Sequence, residues 1–180
     1  MTGEVKYKLY TDGACASNPG PAGWGVIATK LEGKKYEQVC TFGGNAQKST
    51  NNRMELTAVI EALKYAVEMK LNLLDESMTA IVVSDSAYVV DSLKQGWVEK
   101  WARGGWRTKS GREVKNRDLW EQMLKLLQIC EVSLKKLDFT RVKGHSGDTM
   151  NELADWVAVR QRLLASRDKL KLSESPQAVS

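Results

Sequence analysis

The stretch "YTDGACASNPGPAGWGVIA" (Tyr10–Ala28) is where the fold of this chain is decided. Just upstream, Val5, Tyr7, Leu9 and Thr11 alternate with Lys6, Lys8, Tyr10 and Asp12, the period of two expected of a half-buried strand. Asp12 is read as the end of that strand. Asn18, Pro19, Gly20 and Pro21 then supply a turn, since Pro presets φ and Gly adopts conformations other residues avoid. "GWGVIATKLE" (Gly23–Glu32) reads as a second strand. An Asp before a Gly is ordinarily turn chemistry, so Asp12 acquires another role only if other acids converge on it.

Working outward, "KKYEQVCTFGG" (Lys34–Gly44) reads as a third strand after a turn at Gly33. Three strands so close in sequence predict an antiparallel meander. The period then changes: Val59, Ala62, Leu63, Ala66 and Val67 recur at helical spacing, with Thr50 to Asn52 as N-cap candidates. "TAIVVSDS" is a short apolar strand ending at Asp85, and "SAYVVDSLKQG" a short helix closed by Gly96. "DLWEQMLKLLQIC" places Leu119, Met123, Leu126, Leu127 and Cys130 on one helical face, with Asp118 and Glu121 spaced as a capping box. "KLDFTRVKGH" is the last strand and "MNELADWVAVRQRLL" the last helix. A helix between the third and fourth strands implies a crossover to parallel pairing, hence a mixed α/β sheet with helices packed on it. Residues 1–165 read as one domain without internal repeats. Residues 166–180 lose periodicity and are expected to be a flexible tail.

At 180 residues, 42% hydrophobic and 27% charged, the chain has the composition of an ordinary soluble domain able to bury a core. No apolar run approaches a membrane span and no signal-peptide pattern opens the chain. Cys15, Cys40 and Cys130 are odd in number and widely spaced, which fits neither a disulfide framework nor a zinc site. The expected location is the cytoplasm. With one histidine, His145, a His-rich metal centre is excluded.

The net charge of +5 is localised. Between Lys100 and Arg117 lie seven cations against one acid, Glu113, a net of +6, so the remainder sums to −1. This segment, within a basic arm at about 97–117 that carries Trp97, Trp101 and Trp106, reads as an electrostatic footprint for a polyanion.

Two acids, Asp12 and Asp85, end strands, and side chains at strand ends of α/β sheets project into ligand crevices. They share a crevice only if their strands are neighbours. Glu55, at about 100° per residue, lies on the same helical face as Val59, Ala62 and Ala66. The alternative for Glu55 is an acid that complements the helix dipole. Asp155 sits beside Ala158 and Val159 in the last helix, with a surface acid as its alternative. Four acids gathered together would be costly unless a cation neutralised them. Oxygen-only ligands suit Mg²⁺ or Mn²⁺, and two such ions about 3.5–4 Å apart hold the attacking and leaving oxygens of a phosphoryl displacement.

Taken together, "YTDGACASNPGPAGWG", "TNNRMELTAVIEAL", "SDSAYVV", "WVEKWARGGWRTKSGREVKNRDLW" and "VKGHSGDTMNELAD" resemble ribonuclease H of the bacterial type 1 class, in order from about Lys6 to Ala158. The resemblance implies the RNase H-like fold: a five-stranded mixed sheet, three strands antiparallel and then two parallel, with helices on both faces and a basic protruding arm. It implies endonucleolytic cleavage of the RNA strand of RNA–DNA hybrids, leaving 5′-phosphate and 3′-hydroxyl ends, by a monomer. Asp12, Glu55, Asp85 and Asp155 match the family's metal-binding carboxylates, for two Mg²⁺ ions with Mn²⁺ as an alternative. Cys15 and Asn18 match positions near the RNA backbone, and Asn51 a position that senses the 2′-hydroxyl. Thr50 and Asn116, with Lys48 assisting, match a pocket for a DNA-strand phosphate, and Trp97 an aromatic that packs on the DNA strand. Trp101 is expected to anchor the arm. His145, between Gly144 and Gly147, matches a residue of proton transfer or product release, and its titration range suits either task. Ala87 stands where many relatives carry glutamine, and Ala102 and Gly104 where relatives are often basic. The rival readings are a DNA nuclease or resolvase of the same fold and a non-catalytic hybrid-binding module.

Overall fold

A computed structural model of the chain describes residues 5–73, 77–144 and 147–174, with side chains up to 168. The strands are β1 (Lys6–Cys15), β2 (Gly20–Glu32), β3 (Lys35–Ser49), β4 (Thr79–Ser84) and β5 (Lys136–Arg141). The helices are α1 (Asn51–Leu73), α2 (Ala87–Lys94), α3 (Trp97–Arg103), α4 (Arg117–Ser133) and α5 (Thr149–Glu174). The sheet order is β3-β2-β1-β4-β5. β1–β2 and β2–β3 are antiparallel, while β1–β4 and β4–β5 are parallel, the mixed sheet expected from the sequence.

Apolar side chains on the two sides of the sheet build two cores. On one, Tyr7, Leu9, Val26, Ala28, Ala80 and Val82 pack against α1 and, beyond it, Trp120 and Met123 of α4. On the other, Tyr10, Ile27 and Val83 meet Ala154 and Val157 of α5. Helices therefore cover both faces. This explains the burial of β1: Tyr7 and Leu9 alternate with partly exposed Lys6 and Lys8, but Tyr10 to Ala14 are buried on both sides.

Glycines set how closely the helices approach. A Cβ at Gly13 would lie 2.7 Å from the Met54 carbonyl carbon and against the Glu55 nitrogen, so the first turn of α1 rests directly on β1. A Cβ at Gly25 would lie 2.6 Å from the Ala154 carbonyl oxygen, and one at Gly23 equally close to Gln161 Cβ. Both gaps lie well inside van der Waals contact, so α5 can seat on β2 only where side chains are missing.

Several local expectations are corrected. β1 does not stop at Asp12 but continues to Cys15, with Asp12 paired to Gly25 of β2. What ends there is the parallel ladder with β4, whose last pair is Tyr10–Val83. β3 runs on to Ser49. The capping box at Asp118 and Glu121 does not form, because Arg53 holds Asp118 and Arg117 holds Glu121, while Asn116 is the N-cap in a left-handed conformation. α5 passes through Ser166 to Glu174, so the helix outlasts the apolar period that marked it. Residues 175–180 lie outside the described residues.

The arm is α3 followed by a loop folded back on itself. Arg107 and Glu113 form an isolated antiparallel bridge, and the Arg107 guanidinium donates to the Gly111 carbonyl. Trp106 is buried with φ 60, its N–H on the Trp101 carbonyl at 2.7 Å. Trp101 meets the fully buried Trp120 edge-on at 5.5 Å. Trp101 and Trp106 thus anchor the arm, whereas Trp97 is 38% exposed at its outer end, 6.2 Å from Trp101.

Candidate functional site

Direct pairing of β1 with β4 brings the two sequence-distant acids together. Asp12 lies two residues past the end of their parallel ladder, and Asp85 follows the last residue of β4. Glu55 comes in from the first turn of α1, over the close contact at Gly13. One oxygen each from Asp12, Glu55 and Asp85 all lie within 4.8 Å of one another. Asp155, carried by α5 on the opposite face, lies near enough to Asp12 to help raise its carboxyl. Three of the four sequence-predicted carboxylates thus meet at one end of the β1–β4 seam, with Asp155 acting on Asp12 from α5.

The electrostatics of this group are unfavourable by themselves. Asp12 and Glu55 are buried, and Asp85 and Asp155 are partly exposed. Burial first, and then the neighbouring Asp85, pushes the Asp12 carboxyl up to about 7, against a donated hydrogen bond from the Gly13 N–H at 2.8 Å. Glu55 is raised well above the ordinary carboxylate range, again by burial first and then by Asp12 and Asp85. Its Oε1 accepts from Asn51 Nδ2 at 3.4 Å, while its buried Oε2 has no partner among the described residues. Buried oxygens are ordinarily satisfied. An orphaned carboxylate oxygen beside Asp12 and Asp85 is the donor set that a hard divalent cation completes.

The remaining candidates surround this centre. The Asn18 side-chain oxygen accepts from the Asn51 N–H at 2.9 Å, tying the β1–β2 turn to the start of α1. The Cys15 thiol lies 3.3 Å from the Ser49 carbonyl oxygen, closing the same corner. Thr50 accepts from the Arg53 N–H at 3.4 Å. Arg53 reaches the Asn116 side-chain oxygen at 3.5 Å and grips Asp118 with both guanidinium nitrogens, at 2.9 and 2.6 Å. Thr50 and Asn116 therefore border one arginine. Lys48 is exposed near the end of β3, two residues before Thr50. Trp97 stands apart, on the arm, with Lys100, Arg107 and Lys109 lining the same cleft. All seven arm cations are exposed.

His145 lies outside the described residues. Its predecessor Gly144 does not: a Cβ there would fall 2.6 Å from Asp85 Oδ2, so the chain leading to the histidine runs against the acid cluster. Sequence reasoning missed the linking role of Arg53. The signal for Arg53 was a cation in the first turn of a helix, where the dipole disfavours one, which calls for a local acid. That acid is Asp118.

Comparisons with known proteins bear on the same elements. The RNase H family model matches residues 4–162. The ribonuclease HI of Neisseria meningitidis serogroup B is 45% identical over 152 residues, 84% of this chain and 92% of its own. The ribonuclease H of Caldicellulosiruptor saccharolyticus is 42% identical over 150 residues, 83% of this chain and 91% of its own. Among solved structures, LC9-RNase H1, a type 1 RNase H with the type 2 active-site motif, superposes with a TM-score of 0.70 at 26% identity, covering 92% of this chain and 75% of its own.

Proposed function

Because the chain belongs to the ribonuclease H family, we propose that Asp12, Glu55, Asp85 and Asp155 hold the divalent cations with which it hydrolyses the RNA strand of RNA–DNA hybrids. The observation that carries this assignment is the orphaned Glu55 Oε2 within a cluster of oxygens less than 4.8 Å apart. Bound there, two Mg²⁺ ions supply an activated water for attack on the RNA phosphodiester and positive charge for the departing 3′ oxygen. The products are a 5′-phosphate and a 3′-hydroxyl. The protein's own contribution is to hold these oxygens in place before substrate arrives. β1 and β4 fix two of them through backbone ladders, and α1 and α5 deliver the others over glycines.

Around the centre, Asn51 is held by Glu55 and Asn18, which supports its reading as the group that meets the RNA 2′-hydroxyl, the feature separating RNA from DNA. Cys15 and Asn18 border the RNA backbone in this reading. Thr50 and Asn116, with Lys48 nearby, take a DNA-strand phosphate at the N-terminus of α4, where the helix dipole favours an anion. Trp97 packs on the DNA strand, and the arm cations add sequence-independent affinity. His145 moves a proton or assists product release. The enzyme works as a cytoplasmic monomer, a reading in keeping with three unpaired cysteines.

The deciding experiment presents one sequence as labelled RNA–DNA, RNA–RNA and DNA–DNA duplexes, with Mg²⁺, Mn²⁺ or chelator, and Asp12→Asn as control. Metal-dependent cutting confined to the hybrid's RNA strand, and lost in the variant, is expected. Equal cutting of the DNA duplex would instead indicate a general nuclease, and tight binding without cutting a hybrid-binding module.

A further inference from the structure

Tyr88 sits at a junction that the reading above does not use. It lies in the first turn of α2, three residues after Asp85. Its hydroxyl oxygen is 3.0 Å from Trp120 Nε1, 3.3 Å from Asn116 Nδ2 and 3.4 Å from the Lys115 carbonyl oxygen. An indole N–H and an amide N–H only donate and a carbonyl only accepts. The hydroxyl therefore accepts from Trp120 and Asn116 and donates to Lys115, which uses its full capacity. The ring meets Trp120 edge-on at 5.5 Å, so the phenol is held by packing independently of its hydroxyl.

The consequence falls on Asn116. Its backbone is left-handed, at φ 58 and ψ 33, and its side chain makes no cap for α4. Its amide is instead fixed from both ends: Oδ1 accepts from Arg53 at 3.5 Å, and one Nδ2 hydrogen goes to Tyr88. Arg has no acceptor, which settles which end of the amide faces it. The second Nδ2 hydrogen is then directed by geometry rather than by chance.

We propose that Tyr88 is a positioning residue: its hydroxyl locks the Asn116 amide so that the remaining N–H is presented to a phosphate of the DNA strand. Tyr88 lies three residues after Asp85, at the start of the helix that follows the Asp85 turn, so the same bond ties the start of α4 to the chain that carries this acid. The proposal rests on the reading of Asn116 as part of a DNA-strand phosphate pocket, and it assigns Tyr88 no part in the bond-breaking step.

The test uses Tyr88→Phe, which keeps the ring and its packing, beside Asn116→Ala and the double variant. Steady-state cleavage of hybrid is measured together with melting temperature. Tyr88→Phe is expected to raise KM about fivefold with kcat within about twofold, and Asn116→Ala about tenfold. The double variant should be no worse than Asn116→Ala alone, because neighbours acting through one group are not additive. A second readout removes charge from the DNA strand one phosphate at a time with methylphosphonate links. Wild type should weaken at one position, and Tyr88→Phe should lose most of that sensitivity. Retention of full sensitivity in Tyr88→Phe would overturn the positioning role while leaving the pocket intact. A wild-type enzyme, and an Asn116→Ala variant, indifferent to every substitution would remove the pocket, and the proposal with it.

Discussion

The acid cluster and the basic arm are both concentrations of like charge, yet they are built in opposite ways. Asp12, Glu55 and Asp155 come from β1, α1 and α5 and Asp85 from the turn after β4, and two of the four are buried. Burial first, and then their proximity, raises Asp12 and Glu55 out of the ordinary carboxylate range. The seven arm cations come from one continuous segment and all are exposed, so water and salt screen them from one another. Crowded buried charge destabilises the fold until a counter-ion arrives, whereas exposed charge costs little and acts at a distance. The first construction suits chemistry at a fixed point, and the second suits affinity for a polyanion whatever its sequence.

The largest effect should come from the cluster. Asp12→Asn is expected to lower the saturated cleavage rate at least about 1,000-fold while KM changes less than about threefold, since ligand and charge are lost at the reacting phosphate. Steady-state kinetics in Mg²⁺ reads both numbers. The comparison breaks if KM carries the loss.

The arm should show the reverse pattern. Removing Lys100, Arg107 and Lys109 together by alanine is expected to weaken hybrid binding roughly 10–100-fold near physiological salt. The slope of log affinity against log salt should become shallower by about 2 to 3, as fewer counterions are released. Binding titrations at several salt concentrations measure it. An unchanged slope would mean that the arm cations do not reach phosphates.

Stability against pH sharpens the contrast further. A carboxyl whose folded pKa is raised keeps a proton that the unfolded chain releases, so metal-free stability should fall as pH rises from about 4 through about 7. A loss on the order of 4 kcal/mol is expected from Asp12, at about 1.4 kcal/mol per unit of the rise to about 7. Mg²⁺ should restore it, and Asp12→Asn should flatten the profile. Chelated melts across this pH range, with and without Mg²⁺, are the check. A profile rising with pH would contradict the crowding described for the cluster.

The smallest effect concerns the arm's aromatics. Trp97→Ala should raise KM about fivefold with little change in melting temperature, because Trp97 is partly exposed and base-facing contacts are worth roughly 1–3 kcal/mol. Trp101→Ala should instead lower the melting temperature, since Trp101 packs on Trp120.

Legibility in the sequence followed the same division. The arm could be read directly, because its charge and its tryptophans are local. The inward face of Glu55 was also readable, from the small apolar residues one and two turns on. The meeting of Asp12 with Asp85 was not, since it depends on β1 pairing with β4 across the chain. Gly13 looked like a turn residue but lies within β1, and the close seating of helices on Gly13, Gly23 and Gly25 could not be read from their place in strands. The overrun of α5 past Ser166 escaped notice because a helix there shows no apolar period. The hydroxyl of Tyr88 was hidden for the converse reason: in "SAYVV" it reads as one more apolar position of a short helix.

The division of labour is tested most directly by single-turnover cleavage, with enzyme in saturating excess over hybrid, for wild type, Asp12→Asn and the arm variant. Saturation removes differences in affinity. The account predicts that the arm variant regains the wild-type rate to within about twofold and that Asp12→Asn stays at least about 1,000-fold slower. An arm variant that remains slow at saturation, or an Asp12→Asn enzyme that recovers, would contradict it.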